Sequence, residues 1–208
     1  MRMDQASDLL VQNPAPFEDG WCVLPDGIGL VAARTEMPGC SGAMVRWWFD
    51  TLRDSERYRL WYPAEHVYLR STRAKDAASV IGDTHIVHEK LGGDTVHKLK
   101  LRFRDPAEVL DPAAMAAAGV TCAILIRGGP QHLPLWSGNV LHLISDQPGG
   151  AVMRSRFWMG DVSPAVPILA RLIRREMTSD TALGDLHRHC KAEMANLARI
   201  LPGLYAAG

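Results

Sequence analysis

The feature that most restricts the fold is the C-terminal stretch Thr181 to Leu201, in which Leu183, Leu186, Cys190, Met194, Leu197 and Leu201 recur at steps of three or four. On a helix these positions form a single apolar stripe, so a long helix here has to lie against a broad apolar surface. Pro202-Gly203 is expected to stop it. Upstream the hydrophobic period shortens to that of strands. Ile28 to Thr35, His66 to Leu69, Thr84 to Glu89, Val96 to Phe103, Val120 to Arg127, Val140 to Ser145 and Val152 to Trp158 read as strands. Turn signals such as Gly92-Gly93, Gly128-Gly129-Pro130 and Gly149-Gly150 separate them, and most connections look hairpin-like. An antiparallel sheet followed by a long terminal helix is an α+β pattern, and the sheet is the surface the helix needs.

Two shorter helices are expected. Ser41 can cap one, because its hydroxyl can accept an otherwise orphan backbone N–H, and Met44, Trp47, Trp48 and Leu52 give that helix one wide apolar face. Val166 to Glu176 suggests the other. Residues 1 to 19 look like a loosely held lead-in, so folding should start near Gly20 and residues 20–208 should form one domain. A second independent core is not expected in 208 residues.

Charge narrows the partners. The 23 basic residues balance 23 acidic ones, so no net field draws the chain to nucleic acid or an anionic membrane, and a small or neutral partner is favoured. Cys22, Cys40, Cys122 and Cys190 lie far apart without a CxxC pair, which argues for free thiols in a reducing compartment. The first residues carry acidic groups and no apolar run long enough for a signal peptide or a membrane span. A cytoplasmic location is expected, and a homodimer is left open.

The chemistry gathers on the terminal helix. Glu193 sits at one edge of the apolar stripe, where a carboxylate held against the core needs a cation or several donors. His189 lies four residues earlier, on the same face at about 6 Å between Cβ atoms, within reach of one metal ion. A buried His–Glu hydrogen bond is the competing explanation, because a metal site of this kind needs three or four ligands. His187 borders the opposite edge beside Lys191, with no carboxylate within a turn, and is set aside. In Thr84 to Glu89, alternation puts His85, Val87 and Glu89 on one face and Thr84, Ile86 and His88 on the other, without deciding which faces inward. His66 lies in an aromatic stretch, where a hydrogen-bonded core histidine competes with a ligand. His97, His132 and His142 stay unassigned, and Arg154 with Arg156 reads as a pair on a solvated sheet face. The chain has no glycine-rich phosphate fingerprint and no GxSxG elbow.

Four runs carry a family resemblance: MPGCSGAMVRWWFDTLRDSERYRLWYPAEHV, VIGDTHIVHEKLGG, MRSRFWMG and HRHCKAEMANL. Together they resemble the zinc-dependent hydrolases of diacetylphloroglucinol and phloretin, over roughly Ile28 to Leu201. The resemblance implies one Zn2+ per chain, with His66, Glu89, His189 and Glu193 as ligands. It also implies Tyr58 near a substrate oxygen, where its phenol stabilises developing negative charge, and Glu89 or water as proton shuttle. The implied substrate is a small aromatic or polyketide-like molecule, cleaved between an acyl group and a phenolic ring or 1,3-dicarbonyl carbon. The implied fold is the helix-grip architecture shared with START and birch-pollen-allergen-like proteins: a curved antiparallel sheet around a long C-terminal helix. Leu69 stands where the resemblance leads one to expect a polar amide, and those hydrolases are longer at the N-terminus. Two other functions fit the same residues: a helix-grip carrier of a hydrophobic ligand with a structural metal, and a polyketide-processing metal enzyme of another reaction type.

Overall fold

Residues 1–11, 15, 17–73, 78–164 and 167–208 are described by a computed structural model of the chain. Its strands are β1 (Gly20–Val23), β2 (Gly29–Pro38), β3 (His66–Ser71), β4 (Thr84–Lys90), β5 (Val96–Arg104), β6 (Val120–Pro130), β7 (Trp136–Gln147) and β8 (Gly150–Ser163). Its α-helices are α1 (Asp8–Val11), α2 (Gly42–Thr51), α3 (Ser55–Trp61), α4 (Pro112–Ala117), α5 (Pro167–Met177) and α6 (Asp180–Ala207). All strands form one antiparallel sheet in the order β1-β2-β8-β7-β6-β5-β4-β3. Hairpins link β3 through β8, while β2 leaves the sheet for α2 and α3 before the chain re-enters at the far edge as β3. A sheet gripping its own C-terminal helix is the helix-grip fold expected from the sequence. β1, α3 and α4 are too short to have shown a period of their own. Val166 of the expected α5, and residues 12–14 and 16 of the lead-in, lie outside the described residues.

The larger core fills the space between one face of the sheet and α6, with α2 and α3 closing the end. Trp48, Phe49, Tyr58 and Trp61 meet Leu183, Cys190, Met194, Leu197 and Leu201 there, opposite Val31, Ile124, Ile144, Met153 and Phe157 of the sheet. Ser41 caps α2 by accepting the N–H of Met44, and Asp54 caps α3 by accepting that of Arg57. Each cap fixes where its helix begins, and so which aromatic rings turn inward.

Helix α6 runs through Pro202, six residues beyond the expected stop. Proline at 202 leaves the carbonyl of Ala198 without its helical donor. The thiol of Cys40, from the turn after β2, donates to that carbonyl at 3.4 Å. A contact between positions 158 residues apart therefore supplies part of what proline removes, and the last turn persists.

The reading of Arg154 and Arg156 as a solvated pair is overturned. Strand β8 lies centrally, and its outer face is covered by the opening residues of the chain. Ala6, Leu9 and Ala15 pack with Leu30, Leu125, Leu141, Leu143 and Trp158 in a second core on that face. Both arginines are buried beneath this cover. Arg154 donates to Glu18 and to the carbonyl of Leu9, and Arg156 donates to Glu18 and to the carbonyl of Phe17. The opening segment, expected to be loosely held, is thus tied down by buried ion pairs and apolar contacts.

Asp83, fully buried just before β4, joins the far edge of the sheet to the α2–α3 junction. Its carboxylate accepts from Arg53 at 2.7 Å, Ser71 at 2.5 Å, the hydroxyl of Thr72 at 3.1 Å and the backbone N–H of Thr84 at 2.6 Å, and it lies 3.2 Å from His85 Nε2. Burial alone would raise its pKa. The neighbouring His85 ring, the Ser71 hydroxyl and the Thr84 N–H outweigh burial and hold the carboxyl well below the usual range. A depressed folded-state pKa adds stability that is fully present above the unfolded value of about 3.9 and lost as pH falls through and below it. Urea unfolding between pH 6 and 2 is expected to show this acid loss, and Asp83→Asn is expected to be less stable at pH 6 and to lose less on acidification. An equal acid slope in both proteins would remove Asp83 from this role.

Candidate metal centre

Helix α3 ends where Pro63 follows Tyr62, and the turn after it delivers the chain into β3 with the His66 N–H donating to the carbonyl of Tyr62 at 2.9 Å. His66 pairs directly with Glu89 on β4, and a register shift between His66 and Tyr68 lets both His66 and Leu69 face the interior. On β4 the alternation left open by the sequence resolves: His85, Val87 and Glu89 are buried, while Thr84, Ile86 and His88 are only partly so. From the other layer, α6 brings His189 and Glu193, one turn apart, onto the same spot.

The atoms that meet there form a tight set. His66 Nε2 lies 3.4 Å from Glu193 Oε2 and 3.8 Å from Glu89 Oε2, and His189 Nε2 lies 3.7 Å from Glu193 Oε2. Nitrogen and oxygen ligands at about 2.0–2.1 Å around a tetrahedral ion stand about 3.4 Å from one another, so these spacings suit a shared cation. His66, His189 and Glu193 each offer an atom within 4.8 Å of the others. Glu89 borders the set through His66.

The outer nitrogens of both imidazoles are fixed. His66 Nδ1 lies 3.0 Å from the backbone carbonyl of Tyr58, which can only accept, so Nδ1 carries the proton and Nε2 is turned to the cluster. That Nε2 is buried and makes no hydrogen bond. His189 Nδ1 lies 2.6 Å from Glu65 Oε2, and the same oxygen accepts the N–H of Gly92 at 2.9 Å. Carboxylate or carbonyl partners on the far nitrogen are the usual way a metal-binding histidine is oriented. Aromatic rings wall the site: Tyr58 stacks on His66 at 3.8 Å between centroids, and Trp61 meets it edge-on at 5.0 Å.

The electrostatics favour a cation. The side chains of His66, Glu89, His189 and Glu193 are at most 10% exposed. Burial disfavours a charged His189, but Glu193, Glu89 and the hydrogen-bonded Glu65 more than reverse this and raise its pKa. Three carboxylates around two imidazoles, out of water, form the acidic field that a divalent ion neutralises, and the unpartnered His66 Nε2 is the lone pair such an ion would take. Tyr58 donates its phenolic proton to Glu89 Oε2. Burial first, and then the charges of Glu89 and Glu193, push that phenol well above its usual pKa.

His187, set aside in the sequence, lies away from the cluster, against Trp21 and 3.2 Å from Asp19. Two groups escaped the sequence reading. Glu65 has no local signal, because its role depends on α6 arriving beside it. His142, left unassigned, is buried on β7 with Nδ1 2.7 Å from Ser155 Oγ, between Phe49 and Phe157. Burial pulls its imidazole down to about 4 against the opposing charge of Glu193, so it is neutral at physiological pH.

With this geometry, the sequence can be compared with known proteins. Residues 1–206 match the DAPG hydrolase PhiG domain. The chain belongs to that family of hydrolases. A 2,4-diacetylphloroglucinol hydrolase of Pseudomonas sp is 28% identical over 230 residues, covering 98% of this chain and 76% of that protein. A phloretin hydrolase of Eubacterium ramulus is 29% identical over 201 residues, covering 90% of this chain and 71% of its own. Among solved structures, that of the KanY protein superposes with a TM-score of 0.50 at 7% identity, covering 84% of this chain and 96% of its own, a likeness of fold alone. The peanut-type protein Ara h 8.0201 gives 0.42 at 8% identity, covering 78% and 97%. No helix among the described residues is long and apolar enough to cross a membrane.

Because Glu65 orients His189 from behind, Glu65→Gln is expected to weaken divalent-ion affinity about 10–100-fold while leaving the fold intact. Competition with a chromogenic chelator measures this, and unchanged affinity would make the Glu65 contact merely structural.

Proposed function

We propose that the protein is a zinc-dependent hydrolase that cleaves the carbon–carbon bond between an acyl group and a phenolic ring or a 1,3-dicarbonyl carbon. The observation that carries the proposal is the buried cluster of His66, His189 and Glu193 with Glu89 at its border, in a chain whose relatives are named as hydrolases of 2,4-diacetylphloroglucinol and of phloretin. His66, Glu89, His189 and Glu193 would hold the zinc. When bound, the metal supplies Lewis acidity, polarising a carbonyl and making water acidic enough to react near neutral pH.

Overall, the hydroxyl of water joins the acyl carbon, the bond from that carbon to the ring carbon breaks, and the ring carbon takes up a proton. A carbon leaving group departs only with an electron sink, which a polyhydroxylated ring provides by reacting as its keto tautomer and leaving as an enolate. The chain's own residues serve these needs. The Tyr58 phenol, kept protonated by burial and by neighbouring carboxylates, is a donor for a ring oxygen on which negative charge develops. Glu89, hydrogen-bonded to that phenol, shuttles the proton. His142, neutral and inside the same core, is a base on the far side of the site from β4. Leu69, buried where the resemblance leads one to expect an amide, leaves the ring one polar contact fewer and shifts preference toward less hydroxylated rings. The four free cysteines, three of them buried, support a reducing, cytoplasmic setting.

Purified protein is expected to hold about one zinc per chain and to hydrolyse members of a panel of acylphloroglucinols, phloretin-like dihydrochalcones and 1,3-diketones. His189→Ala and Glu193→Ala are expected to lose metal and turnover together. Full zinc content in either variant would overturn the ligand assignment. Metal without turnover on the whole panel would favour a polyketide-processing enzyme of another reaction type, and no metal after mild purification would favour a carrier. His142→Phe is expected to keep its zinc and lower kcat about 100-fold or more; a kcat within a factor of about two of wild type would exclude His142 as a base.

A further inference from the structure

The zinc ligands are buried, so a substrate needs a place to dock beside them. On the outer side of α6, an open cleft of about 520 Å3 runs between that helix and the turn after α3. Tyr62, Pro63 and Ala64 line one wall, and Ala192, Ala195 and Arg199 the other. The cleft exists because α6 carries alanines at 192 and 195, three apart on one face, where longer side chains would close it. Asn196 fixes the second wall: its amide donates to the carbonyl of Trp61 at the exposed end of α3, and its oxygen accepts from Arg199 at 2.6 Å. The guanidinium is thereby aimed along the cleft, and Arg199 is the one charged group among the lining residues. Between the cleft and the metal ligands stands a single ring. Tyr62 lies 5.8 Å from His66 and 5.6 Å from His189 between centroids, with its hydroxyl turned to Glu65 at 3.5 Å.

Resting on the function proposed above, we infer that this cleft is the docking site for the substrate: an acylphenol entering as its phenolate, its oxygen paired with Arg199 and its ring lying against Tyr62 and the alanines. Mostly apolar walls with one well-placed charge, in a volume of a few hundred Å3, suit a flat aromatic anion. An ortho-acyl group makes a phenol more acidic, so such substrates reach neutral pH partly as anions, and a guanidinium selects that form. Tyr62, against the two imidazoles, is then the residue past which the acyl group reaches the ligands.

The test uses monoacetylphloroglucinol as probe, with calorimetric binding and hydrolysis measured on zinc-loaded wild type, Ala195→Trp, Ala192→Leu, Arg199→Ala and Arg199→Lys. Both filling variants are expected to raise Kd and KM at least about tenfold with metal content unchanged, because Ala195 is exposed and Ala192 only half-buried. Arg199→Ala is expected to raise Kd about tenfold or more above the probe's ionisation pH and little below it, with Arg199→Lys recovering part of the loss. If wild type hydrolyses the probe and the filling variants bind it as tightly, the cleft inference is wrong and the catalytic proposal stands. If wild type binds without hydrolysing and the filling variants lose binding, the cleft stands and the catalytic proposal falls. No binding by wild type overturns both.

Discussion

Two carboxylates, Glu89 and Glu193, sit at most a tenth exposed between a sheet and a helix, and the rest of the structure answers that constraint. A charge taken out of water costs several kcal/mol unless partners compensate for it. Some compensation comes from hydrogen bonds: the Tyr58 phenol serves Glu89, and the His66 and His189 rings approach Glu193. Those rings cannot drift, because Tyr58 O and Glu65 hold their outer nitrogens. The positions of α3, β3, β4 and α6 are therefore coupled through one polar knot, which only a cation completes electrostatically.

The large features of this arrangement could be read from the chain itself. The stripe from Leu183 to Leu201 demanded a sheet, and the alternating segments supplied it, because both signals are local and set by backbone period. His189 and Glu193 were legible for the same reason, since a spacing of four on a helix is a statement about distance. His66 and Glu89 were not fixed by spacing; their adjacency is a cross-strand pairing, and only a family resemblance pointed to it beforehand. Glu65 was invisible, for its carboxylate matters only once α6 lies 2.6 Å away.

The failures share that cause. Pro202 looked like a helix stop because local rules count the N–H it removes, whereas the carbonyl left behind meets Cys40 from the other end of the chain. Arg154 and Arg156 looked solvated because strand alternation assigns a face without saying what covers it. The cover is the opening segment, whose Glu18 reaches both guanidinium groups from more than 130 positions away. Such a segment makes the outer face of β8 a second interior, and it explains why residues 151–158 of β8 are buried on both faces where a one-sided sheet would alternate.

That double burial bears on function. A central strand held from both sides keeps Ser155, Phe157 and, across the β7 pairing, His142 in fixed positions on the inner face, while the ligands from β3 and β4 stand at the far edge of the same sheet. The edge is where the chain is tied by Asp83 to Arg53 and the α2–α3 junction, so the helix bearing Tyr58 and the strand bearing Glu89 shift together or not at all. Rigid placement of a donor, a carboxylate and two imidazoles leaves α6, with its small residues facing solvent, as the side open to change. Variation in what this scaffold cleaves is therefore expected on the outer face of α6 and at Leu69, where side chains can lengthen or shorten without disturbing the buried charges.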